Sequence, residues 1–116
     1  MPPLLEGTKH DGGKIGVHLL PPDPLIEIAR VLDFGANKYA AYNWTKGIKW
    51  SRVFGATVRH LWAWFKGEDR DPESGLSHLA HAGCCILFLL QYEKTRRSFD
   101  DRPVNEYKDE VNPNPG

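Results

Sequence analysis

Two histidines, His78 and His81, follow an acidic run carrying Glu68, Asp71 and Glu73 within RHLWAWFKGEDRDPESGLSHLAHAGCC (Arg59–Cys85). Imidazoles and carboxylates cost free energy when pressed against an apolar wall, and this stretch begins and ends in apolar segments. Carboxylates suit hard divalent ions such as Mg²⁺ or Mn²⁺, which bridge phosphates. Two histidines with a carboxylate suit Zn²⁺ or iron equally well. A spacing of three puts His78 and His81 on one side of a helix, as two ligands to one ion or as a ligand and a base. In a first turn the helix dipole disfavours protonated imidazole, so both rings are expected to be neutral near pH 7. The plain alternative is a solvated acidic turn whose histidines bond backbone. Glu27, on an earlier helical segment, adds one more carboxylate to the candidate set.

Three helices must position these groups. Asp23-Pro24 reads as an N-cap followed by proline at the first helical position, opening a helix to about Lys38. Leu25, Ile28, Ala29, Leu32, Gly35 and Ala36 form its core arc, with Glu27, Arg30, Asp33, Phe34, Asn37 and Lys38 opposite. Tyr39–Trp50 is aromatic and aperiodic, an irregular connection whose rings either cover the core edge or face a ligand. Ser51 is the expected cap of a second helix running to about Lys66, with Gly67 as its stop. That helix is apolar except for a stripe of Arg52, Arg59 and Lys66, which suggests a central helix or a subunit interface. His60 shares its face with Ala56 and Trp64 and reads as a hydrogen-bonded core residue. Ser74 or Ser77 caps a third helix to about Arg96 or Arg97, with His78, His81, Cys85, Phe88 and Tyr92 on one face. Ahead of these lies an arm, residues 1–22, in which Gly12-Gly13 between Lys9 and Lys14 either approaches an anion or stays mobile. Ile15, Val17 and Leu19 alternate as a short strand would. Residues 98–116 are polar and rich in proline and asparagine, a tail with little to bury. The expected architecture is all-α, a small bundle formed by residues 23–97.

Composition narrows the partners. The 116 residues make one modest core. Fifteen basic residues balance fifteen acidic ones, which argues against a broad nucleic-acid surface. Adjacent Cys84 and Cys85 cannot form an ordinary bridge, pointing to a reducing, cytoplasmic setting. No basic-then-apolar signal opens the chain, and the apolar run Leu79–Leu90 is too short to span a bilayer.

HDGGK (His10–Lys14), FGANKYAAYNW (Phe34–Trp44) and the long segment Arg59–Cys85 together resemble the phage-encoded dATP/dGTP diphosphohydrolase N-terminal domain family, over roughly Lys9 to Glu93. The family is grouped with the all-α MazG-like pyrophosphohydrolases. The resemblance implies a homo-oligomer that binds a purine nucleotide and hydrolyses dGTP or dATP, with Mg²⁺ (or Mn²⁺, less readily Zn²⁺), to the monophosphate and pyrophosphate. On that basis Glu27, Glu68, Asp71, Glu73 and His78 would hold metal, and His78, His81 and Glu73 would serve catalysis. Lys14, Lys38 and Arg59 would counter phosphate charge, Tyr39 or Trp44 would stack on the base, and Asn43 and His60 would complete the substrate contacts. One departure stands out. Where MazG-type enzymes carry Glu-x-x-Asp, this chain reads His78-Leu79-Ala80-His81. Sequestration of a nucleotide or a cyclic-nucleotide signal without hydrolysis is therefore the alternative expectation, and a helical scaffold for another protein is a third.

Overall fold

The computed structural model describes residues 4–104. Three helices account for most of it: α1 (Pro22–Lys38), α2 (Trp50–Phe65) and α3 (His78–Thr95), with short 3-10 turns at Val17–Leu19, Asn43–Lys46 and Arg97–Phe99. No strand occurs among the described residues, so the all-α expectation holds. α3 is the middle element and packs against both α1 and α2.

Local chemistry sets the helix boundaries, with some changes from expectation. α1 starts one residue before Asp23, with proline at its first turn and Pro21 in the capping position, so Asp23 is a first-turn carboxylate and no cap. Lys49 takes the position before α2. The expected cap, Ser51, instead binds Asp101 through its backbone N–H (2.8 Å) and its hydroxyl. The stop at Gly67 is as expected. Its φ of +104° lets Glu68 N–H reach back to Ala63 O and Gly67 N–H to Trp64 O, the paired bonds of a Schellman ending. Of the two serines offered for α3, Ser77 is the cap, accepting from Leu79 N–H. Where Ile15, Val17 and Leu19 alternate, Val17–Leu19 forms a 3-10 turn, and among the described residues no strand is present to pair with this segment.

The core has two parts joined by Phe88. Val31, Ala80 and Cys84 form the first, with Ile28, Leu32 and Leu76 around them. Val31 is the buried residue of α1 and was absent from the expected core arc, whereas Leu25 and Ala29 within that arc are exposed. Trp50, Val53 and Tyr92 form the second part, under Trp44, Ile48, Cys85, Leu89 and Phe99. Tyr92 is fully buried and donates its hydroxyl to Trp44 O, while Trp44 stacks on Phe88 with 4.4 Å between ring centroids. The aromatic connection is thus bolted to α3, and Phe99 brings the first residues after α3 into the same cluster. The remainder of the anticipated tail, residues 105–116, lies outside the described residues.

Candidate functional site

The loop from Gly67 to Ser77 is shaped by its own polar groups. Asp71 Oδ1 accepts the backbone N–H groups of Glu73 (2.8 Å) and Ser74 (2.9 Å), and a single bridge pairs Arg70 with Ser77. Gly75, at φ +71°, closes the turn with its N–H on Asp71 O. This fold presents Asp71 and Ser74 to the end of α2, where His60 points toward α3.

Three imidazoles gather there. His60 and His81 stack face to face, centroids 4.5 Å apart and planes 9° from parallel. His60 and His78 meet through their Nδ1 atoms at 2.8 Å. On the far side of His78, Glu68 Oε1 lies 2.6 Å from Nε2. A carboxylate accepts the Nε2–H there, which leaves Nδ1 of a neutral His78 as the acceptor for His60 Nδ1–H. His81 shares a 2.6 Å hydrogen bond between Nε2 and Ser74 Oγ, an oxygen that also accepts Leu76 N–H. One ring nitrogen each of His60 and His78 and one oxygen of Asp71 lie within 4.8 Å of one another.

Burial tunes these groups. It is the main force holding His60 below the usual imidazole range, reinforced by His81 and His78. Burial likewise lowers His81, against the opposing pull of Asp71. For Asp71, burial would raise the carboxyl, but the Ser74 and Glu73 N–H groups outweigh it and the net shift is downward. The resting site therefore pairs neutral His60 and His81 with ionised Asp71.

His60 and His81 open onto a cavity of about 580 Å³, within the range of small-molecule sites. His60, Asp71, Glu73 and His81 form its polar side, and Phe34, Tyr39, Trp44, Ile48 and Phe88 contribute to the apolar wall. Lys38 Nζ reaches Glu73 Oε1 at 2.6 Å across the rim. Cys84 and Cys85 are part of the wall, and burial pushes the Cys84 thiol up to about 12, so it lines the cavity as an unreactive thiol.

Among the residues singled out from sequence, Lys38, Tyr39, Asn43, Trp44, His60, Asp71, Glu73 and His81 share this cavity. His78 and Glu68 stand behind His60 as a hydrogen-bonded pair. Three others are elsewhere. Glu27 pairs with Arg30 one turn along on the outer side of α1. Arg59 is exposed on α2 and Lys14 is exposed in the arm, and neither lines the cavity. Trp44 is placed at the wall with a face already covered by Phe88, which leaves Tyr39 as the more accessible ring. Ser74 was expected only as a helix cap, yet its hydroxyl meets His81. His60 was expected as a core residue or a substrate contact and not as a partner of His78, although its position three residues after buried Thr57 on α2 directs it toward α3.

Residues 5–102 match the family model described as dATP/dGTP diphosphohydrolase, N-terminal. The chain belongs to that family. A relative from Salmonella phage PMBT28, named dATP/dGTP diphosphohydrolase, is 39% identical over 98 residues. The match takes in 84% of this chain and 33% of the relative, so this chain spans about a third of that protein's length. No solved structure matches.

Proposed function

We propose that the cavity binds a purine deoxynucleoside triphosphate and that the protein hydrolyses dGTP or dATP to the monophosphate and pyrophosphate with the help of a divalent cation. The observation that carries this reading is the division of one cavity into an aromatic side and a histidine–carboxylate side. The name of the phage relative supplies the substrate class. A flat base would stack on Tyr39 or on the wall that includes Trp44 and Phe88, with Asn43 hydrogen-bonding its edge. The triphosphate would then lie toward Lys38 and the histidines. A divalent ion bound at that rim would neutralise phosphate charge and polarise the scissile phosphorus–oxygen bond. The expected carboxylate set does not converge there: Glu27 is remote, Glu68 is engaged by His78, and Asp71 and Glu73 remain as rim carboxylates. Lys38, released from Glu73, offers its ammonium to a phosphate oxygen. Neutral His81, oriented by Ser74, would accept a proton from the attacking water.

The test incubates the full chain with dGTP and dATP, with Mg²⁺, with Mn²⁺ and with chelator, following pyrophosphate release and calorimetric binding together. The expected result is metal-dependent release that falls at least a hundredfold in Asp71→Asn. Tight binding without pyrophosphate would replace hydrolysis by sequestration. No nucleotide binding at all overturns both.

We also propose a homo-oligomer. Phe54, Leu61, Trp62 and Phe65 form one exposed stripe on α2 at intervals of seven, eight and eleven residues, and a second copy is the partner that would cover it.

A further inference from the structure

We propose that His60, His78 and Asp71 form a two-histidine, one-carboxylate centre for a first-row transition ion such as Zn²⁺ or Co²⁺, in preference to Mg²⁺. This deepens the metal dependence proposed above, but it concerns binding and stands or falls apart from turnover.

Geometry supports the centre first. Two ring nitrogens bound to one ion at about 2.0–2.1 Å must themselves lie about 2.9 Å apart for a right-angled site and about 3.3 Å for a tetrahedral one. The Nδ1 atoms of His60 and His78 are already 2.8 Å apart. Exchanging the shared proton for an ion requires them to separate by a few tenths of an ångström, within the reach of side-chain torsions. The third donor is near, because an Asp71 oxygen lies within 4.8 Å of both histidine donors. Both backbone N–H bonds to Asp71 land on Oδ1, so Oδ2 keeps its lone pairs for a cation.

The surroundings are those of a ligand. His78 is 4% exposed, and its Nε2 is fixed by Glu68. A carboxylate behind one imidazole nitrogen sets the tautomer and leaves the other nitrogen as the free donor, as occurs behind metal-bound histidines. On the other side, His60 is held by stacking on His81. His81 is oriented through Nε2 by Ser74 and is not one of the three donors. Three donors leave coordination positions open toward the cavity that His60 and Asp71 line, where water or a phosphate oxygen can complete the shell. Nitrogen donors decide the ion. Mg²⁺ demands oxygen ligands and dehydrates reluctantly, whereas imidazole suits Zn²⁺ and its neighbours.

The test titrates metal-free full chain with Co²⁺, reading its visible ligand-field absorption, and then displaces it with Zn²⁺ and with Mg²⁺. One Co²⁺ per chain, displacement by Zn²⁺ at least a hundredfold more effective than by Mg²⁺, and Zn²⁺-induced shifts of the His60 and His78 ring resonances are expected. His60→Gln and Asp71→Asn should each weaken binding at least tenfold, and Glu68→Gln should weaken it about ten- to a hundredfold through His78. Absence of a Co²⁺ band, ring shifts confined to other histidines, or equal displacement by Mg²⁺ would overturn the centre. The ring resonances of unsubstituted protein decide the matter should a variant fail to fold. A chain that binds Co²⁺ this way yet releases no pyrophosphate retains the centre and loses the hydrolase reading; Mg²⁺-driven hydrolysis without Co²⁺ binding does the reverse.

Discussion

His60 and His81 are stacked in a half-buried site that disfavours their charged forms, and this has a consequence for stability. Their native pKa values lie below the ordinary 6.5, whereas in the unfolded chain they return toward it. As pH falls through 6.5 toward the lowered native values, the unfolded chain takes up protons that the native site refuses. Stability contributed by these groups is complete above 6.5 and declines through that window. Metal-free protein should therefore melt at progressively lower temperature as pH falls below the ordinary imidazole value of 6.5. His81→Gln should flatten that slope. A slope unchanged by the substitution would show that the stacked pair does not couple to folding. Ser74 also acts at this scale: it orients His81 while its backbone N–H helps hold Asp71 ionised.

At the scale of elements, the connection between α1 and α2 is held by contacts to α3 and to the segment after it. Gly47 adopts φ +105°, and a Cβ there would sit 2.5 Å from the Phe99 ring. Gly47→Ala combines left-handed strain with that clash, so a loss of about 1–3 kcal/mol in urea unfolding is expected. Tyr92→Phe tests the neighbouring bolt. It keeps the buried ring but leaves Trp44 O without its donor, at a cost of about 1–2 kcal/mol. Because Trp44 is part of the cavity wall, this variant should also weaken nucleotide binding in calorimetry. Unaltered affinity alongside lower stability would separate the aromatic wall from recognition.

At the scale of the molecule, the surface is more apolar than three packed helices require. Phe54, Trp62 and Phe65 are 61%, 64% and 84% exposed. At the usual area of an aromatic side chain they offer about 400 Å², roughly half of one partner's share of a standard interface. α3 repeats the pattern with Leu79, Ile86, Leu87 and Leu90 exposed, so the run Leu79–Leu90 is buried on one side only. None of the helices is long and apolar enough among the described residues to cross a membrane. Light scattering during gel filtration should report a mass above one chain, and Trp62→Glu with Phe65→Glu should reduce it to a monomer with unchanged helix content. A monomeric unsubstituted protein would remove the proposed oligomer.

The amino-acid sequence alone determined the three helices, because apolar period, proline, glycine and capping serine are local signals whose meaning does not depend on distant residues. It also marked Asp71, Glu73, His78 and His81 as chemistry-bearing groups, since charge and imidazole beside apolar runs are visible without a fold. Only tertiary structure decided which of them meet. Glu27 and Arg59 were equally eligible by residue type, yet helix rotation turns the first to Arg30 and leaves the second on the outer surface of α2. His60 joined the site because α2 and α3 pack with their histidine-bearing faces together, bringing residues 18 positions apart to 2.8 Å. Which face of a helix lies inward depends on the partner it packs against, and that partner is specified by the whole chain.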